Sequence, residues 1–353
     1  MKSEQIKDIY ATLKEQTLPL YLYGAGNLAE AIFQKLREQD IAIAGCVTDS
    51  GTENFHGCQV GTFASLMSCG QECNLLLGFA SAYARKHKLE ETGAFKNVFE
   101  IANPFNHHKQ FGEVFLKDHM AELKNAYDLL EDEYSKKCFS AFIRARIENS
   151  ADPVREVFTG QIDEFNNDVM HTKPSGEIFL DVGAYQGGSI ERFLRSNGGH
   201  YEKIIGIEPE NRNFDKLRQF CRHKELENVE LHHIGCWYKK DKLYFNSESD
   251  KCCRLDNEGT TFIDVDTIDN ICGNSRISIL NLGISTAEKE ILLGAKETIQ
   301  RDHPRMLVFM GSAREELYEL PIQIKALNPA YQLYLRFIQA MPSRFFLYAI
   351  PSA

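Results

Sequence analysis

Gly176–Gly199 reads GEIFLDVGAYQGGSIERFLRSNGG, and no other stretch limits the possible folds as tightly. The apolar run Ile178-Phe179-Leu180 predicts a strand, which passes into Asp181-Val182-Gly183-Ala184-Tyr185-Gln186-Gly187-Gly188. Ser189 stands where a helix cap is expected, and Ile190, Phe193 and Leu194 fall on one face of the helix after it. A glycine turn between strand and helix lets the backbone approach a ligand closely and aims the helix N-terminus at it. A second strand, Lys203–Ile207, ends in Glu208-Pro209-Glu210. An acid at the end of strand two is the expected partner of a ribose diol. Together the two signals imply a nucleoside-bearing ligand.

The chain has 353 residues, enough for two domains that each bury a core. Its formal net charge is −10, which argues against nucleic acid as the main partner, because phosphate backbones need a basic surface. No apolar run approaches the length of a membrane span, and MKSEQIKDIYATLKEQ is too polar for a secretory signal. Of the ten cysteines, Cys46, Cys58, Cys138, Cys221, Cys236 and Cys272 stand singly, Cys69 and Cys73 are four apart, and Cys252-Cys253 are adjacent. No two well-spaced pairs exist for zinc, so no metal is expected, and buried thiols in a reducing cytoplasm fit best.

The first third predicts a helix over Lys2–Gln16 and a strand over Leu18–Tyr23. The turn Gly24-Ala25-Gly26-Asn27-Leu28-Ala29, a helix over Leu28–Gln39 and a strand over Ile41–Val47 ending at Asp49 follow. This is a βαβ unit with a GxGxxA turn, read either as a nucleotide site or as a Rossmann-like half whose glycines permit tight packing. Asn74–Phe79 and Asn97–Ile101 extend the same sheet, and His107-His108 read as a solvated loop pair. Phe111–Asn149 reads as helical, with Asp118 or Lys117 opening one helix and Ser135 capping the next, before Asp152-Pro153 breaks the pattern. The expected domains are 1–110, a Rossmann-like unit; 111–154, a helical connector; and 155–353, which carries the opening motif.

After Glu210, helices over Phe214–His223, Ala287–Gln300 and Glu315–Leu327 alternate with strands over Val229–Ile234, Thr261–Val265, Ile277–Leu282 and Arg305–Phe309, and Lys242–Asn246 reads as a short extended piece. That alternation predicts a parallel, doubly wound sheet, with Tyr331–Phe337 and Phe345–Ile350 as an antiparallel edge pair around the MPSR turn.

The segments IFLDVGAYQGGSIERF, IIGIEPENRNFDKL, GCWYKKDKLYF, VDTIDN and AEKEILLGAKETI resemble, in order and spacing, the FkbM-type S-adenosylmethionine-dependent methyltransferases over about residues 155–350. The resemblance implies a class I methyltransferase fold, a doubly wound sheet of seven strands with the last pair antiparallel, and S-adenosylmethionine as cofactor. Carried over residue by residue, Asp181, Gly183, Ala184, Tyr185 and Gly187 line the methionine and ribose side, and Glu208 takes the ribose hydroxyls. It also implies O-methylation of a small hydroxylated acceptor such as a sugar, and a Rossmann-like N-terminal domain occurs among polysaccharide-modifying members.

The chain departs from the family pattern at three places. After the fourth core strand the family carries Lys-x-Asp-x-Glu-Gly-Ala-Glu, whereas this chain reads Asn281-Leu282-Gly283-Ile284-Ser285-Thr286-Ala287-Glu288. The Tyr-His-Lys-like run after the fifth strand is Phe309-Met310-Gly311-Ser312-Ala313-Arg314, and a Gln-Tyr-Phe run ahead of the first strand is Asp163-Glu164-Phe165. Methyl transfer to a hydroxyl needs a group to take its proton, and neither Asn281 nor Ser285 is a base at neutral pH. The catalytic residue is therefore unassigned, with Asp163, Glu164, His171, His232, His233 and Glu288 as candidates. The alternative is a pseudoenzyme that binds S-adenosylmethionine or a partner without turnover.

Overall fold

In the computed structural model the described residues are 8–51, 55–57, 60–79, 82–101, 111–160, 162–246, 254–255, 261–284, 287–310 and 313–352. The chain divides into two units. Met1–Leu116, Ser140–Phe158 and Ala340–Pro342 form the first; Lys117–Phe139, Thr159–Gln339 and Ser343–Ala353 form the second. Residues 111–154, expected as a connector, thus belong partly to each.

The first unit begins with α1 (Ile9–Lys14), β1 (Leu20–Tyr23), α2 (Asn27–Glu38), β2 (Gly45–Thr48) and β3 (Val60–Thr62). It continues through α3 (Phe63–Ser68), β4 (Asn74–Leu77), α4 (Ala82–Glu91) and β5 (Val98–Glu100). Its five strands lie parallel in the order β3-β2-β1-β4-β5, with Leu22, Ile32, Leu36 and Leu76 fully buried between sheet and helices. Helices α5 (Glu113–Asp118), α6 (Met120–Asp128), α7 (Glu133–Glu148) and α8 (Asp152–Val157) follow. Asp152-Pro153 does not merely break a helix; it starts α8, because proline in the first turn of a helix lacks only an N–H that would be unpaired anyway. His107 and His108 lie outside the described residues, as do Cys58, Cys252 and Cys253; the other seven cysteines are free thiols.

The second unit adds β6 (Ile178–Val182), α9 (Gly188–Ser196), β7 (Lys203–Ile207), α10 (Asn211–His223), β8 (Val229–His232), β9 (Gly235–Cys236), β10 (Asp241–Asn246), β11 (Arg254–Leu255) and β12 (Thr261–Asp266). It ends with α11 (Ile268–Cys272), β13 (Ile279–Leu282), α12 (Glu288–Leu293), α13 (Lys296–Asp302), β14 (Arg305–Met310), α14 (Glu316–Leu327), β15 (Tyr331–Phe337) and β16 (Phe345–Pro351). Seven strands form a mixed sheet in the order β15-β16-β14-β13-β6-β7-β8. The five from β14 to β8 run parallel, while β16 pairs antiparallel with both β14 and β15. The C-terminal ends of β6, β7, β13 and β14 therefore meet at one edge, with the start of β16 beside them.

Two expectations for this unit are corrected. The extended piece expected over Lys242–Asn246 and the strand expected over Thr261–Val265 do not join the main sheet; β10 and β12 pair antiparallel in a separate four-stranded sheet of order β11-β10-β12-β9. The alternation explains it: Lys242 and Asp264 pair across one face at 3.0 Å, while Ile263 and Val265 turn to the other, a one-face-buried pattern suited to antiparallel strands. The single helix expected over Ala287–Gln300 is broken between α12 and α13. A Cβ at Gly294 would stand 2.1 Å from the Trp237 carbonyl oxygen, so the approach of that backbone fixes both the glycine and the break.

Ser135 was expected to cap a helix, but Asp132 does so, accepting the Ser135 N–H at 2.6 Å. The Ser135 hydroxyl instead serves Arg336, whose Nη1 donates to it at 2.9 Å. Arg336 is almost wholly buried and also donates to Asp132 at 2.7 Å and Asp168 at 2.6 Å. Arg336→Ala is expected to destabilise the second unit by about 2–3 kcal/mol, the partners' contact with water keeping the loss below that of a fully buried pair. The chain's one tryptophan, Trp237, lies in this unit, so the urea midpoint of its fluorescence measures the effect. A loss under about 1 kcal/mol would mean that solvent replaces the arginine's bonds.

Candidate functional site

The turn after β6 holds three left-handed residues, Gly183 (φ 79), Tyr185 (φ 51) and Gly187 (φ 94). At Gly183 a Cβ would meet Ile284 Cγ2 at 2.6 Å, and at Gly187 it would meet the Phe220 ring at 2.4 Å. Both sites therefore exclude side chains on space as well as on φ. Gly187, and not the expected Ser189, occupies the cap position of α9. Tyr185 has no such freedom, and a left-handed non-glycine costs about 1–2 kcal/mol. Its N–H donates at 2.9 Å to Glu208 Oε2, a charge-assisted bond that offsets the strain.

Glu208 stands at the end of β7, buried, with the Glu210 N–H donating to its other oxygen at 2.9 Å. Burial pushes its carboxyl up to about 7, against the two backbone bonds that favour the ionised form. Each carboxylate oxygen retains a lone pair for a further hydroxyl. Asp181 is fully buried one residue before the end of β6. Asn281 Nδ2 donates to it at 2.7 Å from β13, and the Ser189 hydroxyl donates to it from the first turn of α9. Burial raises this carboxyl to about 6, and both hydrogen bonds oppose the rise.

A cavity of about 800 Å³ opens over these strand ends. Gly183, Ala184, Tyr185 and Glu208 line one side of it; Asp181 and Gly187 do not reach it and instead shape the turn from behind. Asn281, Gly283 and Ile284 cross it at the end of β13, while Phe309 and Phe346 face it from β14 and β16. Ser285, Thr286, Gly311 and Ser312 lie outside the described residues. A cavity of this size, with apolar walls and few polar groups, is what a small-ligand site requires.

Of the six candidate bases only Glu164 lines the cavity. It is buried and receives a hydrogen bond from Arg192 Nε at 2.8 Å. Asp163 instead accepts the backbone N–H groups of Phe165 and Asn166 at 2.8 and 3.0 Å, closing a turn. His171 is exposed beside Asn166, His232 pairs with Glu230 at 2.9 Å, His233 stacks on Phe214 with centroids 4.7 Å apart, and Glu288 is buried in α12. Two cavity-lining cations, Arg192 and Arg344, escaped the sequence reading. One lies on an ordinary amphipathic helix and the other in a turn whose signal was only Pro and Ser.

The other glycine turn is built differently. A Cβ at Gly24 would meet the Gly78 carbonyl oxygen at 2.8 Å, so close packing between β1 and β4 already requires that glycine. Asp49, the acid after the second strand, accepts a hydrogen bond from Tyr23, whose ring stacks on Phe63 at 4.3 Å.

Residues 181–338 match the family model described as the methyltransferase FkbM domain. The fold resembles that of methyltransferase FkbM from Methylobacillus flagellatus KT, with a TM-score of 0.73 at 16% identity over 97% of this chain and 92% of that one. An rRNA methylase from Streptococcus thermophilus aligns over 50% of this chain and 88% of its own at 14% identity and a TM-score of 0.33. Aeropyrum pernix fibrillarin, solved with natively bound S-adenosyl-L-methionine, aligns over 50% and 67% at 15% identity and a TM-score of 0.32. No curated protein matches the chain.

Asp181 and Glu208 also set a pH dependence. Each carboxyl titrates higher folded than unfolded, so the folded state binds protons more tightly, and stability present at low pH is lost as pH rises through about 6 and about 7. Carboxylates of this unit that titrate low, such as Asp132 and Asp302, act only in more acid solution. The unfolding free energy of the second unit is therefore expected to fall by about 2–4 kcal/mol between pH 5 and pH 8. Trp237 fluorescence in urea at the two pH values checks this, and a rise across the interval would contradict it.

Proposed function

We propose that the second unit of this chain, whose residues 181–338 match the FkbM methyltransferase domain, binds S-adenosylmethionine over the turn after β6 and methylates a small hydroxylated acceptor, such as a sugar. The observation that carries this reading is the pairing of the left-handed turn at Gly183–Gly187 with Glu208 on the wall of one cavity. The strand order, with β16 antiparallel beside β14, agrees with the doubly wound class I methyltransferase arrangement. Gly183, Ala184, Tyr185 and Glu208 are the proposed cofactor contacts, and Asp181 and Gly187 hold the backbone that presents them. Free thiols at all seven described cysteines fit a reducing cytoplasm.

When bound, S-adenosylmethionine supplies a methyl group on a sulfonium, open to in-line displacement. The chain's own residues supply position and proton management. Glu208 accepts the ribose hydroxyls on the lone pairs its backbone donors leave free. Phe309 and Phe346, with ring centroids 5.6 Å apart, wall the acceptor end against water. Glu164 is the base in reach, oriented by Arg192, and takes the acceptor's hydroxyl proton as the new bond to the methyl carbon forms.

One observation favours a second reading, binding without turnover. Asn281 and Gly283 stand where the family carries Lys and Asp, and Asn281 commits one of its two N–H donors to Asp181. Calorimetry with S-adenosylmethionine followed by transfer of a labelled methyl to cell-extract acceptors separates the readings. The enzyme reading expects binding, incorporation, and at least a 100-fold fall in kcat for Glu164→Gln with unchanged cofactor affinity. Binding with no incorporation selects the second reading, and absence of binding overturns both.

A further inference from the structure

Four charged side chains line the cavity: Glu164, Arg192, Glu208 and Arg344. The first two neutralise each other at 2.8 Å, and Glu208 faces two backbone N–H donors and the proposed ribose. Arg344 is left over. It is half-buried, and no carboxylate pairs with it among the described residues. A guanidinium in a partly dehydrated cavity wall without a counter-charge is free to pair with an anion that a ligand brings.

Its position is fixed. Arg344 directly precedes β16, whose Phe345 and Phe346 pair with Met310 and Phe309 at the C-terminal end of β14. The Arg344 carbonyl accepts the Ile338 N–H at 3.0 Å, which closes the turn and anchors the backbone from which the side chain springs. Ser343, exposed beside it, adds a hydroxyl to the same wall. Arg344 and Glu208 rise from strands four positions apart in the sheet, a separation of roughly 19 Å at the usual inter-strand spacing. That distance accommodates a nucleoside-bearing cofactor on the Glu208 side and about one further ring towards Arg344.

We propose that the acceptor carries an anionic group, a carboxylate or a phosphate, which Arg344 grips in a bidentate fork at the end of the cavity opposite Glu208. This rests on the reading of the cavity as a cofactor and acceptor site. Arginine suits the task because its planar donors match the two oxygens of such groups, which a lysine point charge does not. The anion would fix which acceptor hydroxyl meets the methyl group and would reject neutral sugars of the same size.

The test titrates the full chain, saturated with S-adenosylhomocysteine, with glucuronate, glucose 6-phosphate and glucose, by ligand-observed NMR. Wild-type protein is expected to bind at least one of the two anions at least 10-fold more tightly than glucose. Arg344→Gln should remove that preference and Arg344→Lys restore part of it, with S-adenosylhomocysteine affinity unchanged in both. The stronger of the two anions identifies the source of the charge. Equal binding of glucose, binding of none of the three, or an anion preference that survives Arg344→Gln overturns the proposal. If S-adenosylhomocysteine does not bind but Arg344-dependent anion binding remains, the cofactor reading fails and the anion site stands.

Discussion

A buried carboxylate ties the candidate site together. Asp181 sits on β6, receives Asn281 from β13 and Ser189 from α9, and so joins three elements at the point where the glycine turn begins. Both partners are neutral. They satisfy the carboxylate without cancelling its charge, which is why burial still lifts it to about 6. The adjoining turn then places Tyr185 to donate its N–H to Glu208, and that bond links the ends of β6 and β7. The cavity wall is the outer face of this arrangement.

This changes the meaning of Asn281. By sequence it stands where the FkbM pattern has a lysine. In the fold it is the donor that keeps a buried acid satisfied, and the neighbouring Ile284 packs where a Cβ on Gly183 would otherwise go. Residues 281–284 are thus integrated into the packing of the turn.

The strand-turn-helix at 176–199 was legible because its signals are local: an apolar run, glycines, then a helical stripe. The acid at 208 was legible for the same reason. Whatever depended on partners distant in sequence was not. Ser189 looks like a cap, yet Asp181 draws its hydroxyl inward and Gly187 takes the cap position. Ser135 likewise yields the cap to Asp132 and turns to Arg336, about two hundred residues away. The break at Gly294 follows from the Trp237 backbone, and the small four-stranded sheet from the pairing of β10 with β12; neither contact leaves a mark in a short window. Among the six titratable candidates, residue type could not reveal that only Glu164 turns into the cavity.

In the proposed complex the turn and Glu208 together hold the nucleoside of S-adenosylmethionine. A crystal structure of the full chain soaked with S-adenosylhomocysteine tests this arrangement. The ribose hydroxyls are expected within hydrogen-bond distance of both Glu208 carboxylate oxygens, and the amino-acid end of the ligand along Gly183–Tyr185. Ligand density elsewhere, or a ribose turned away from Glu208, would contradict it.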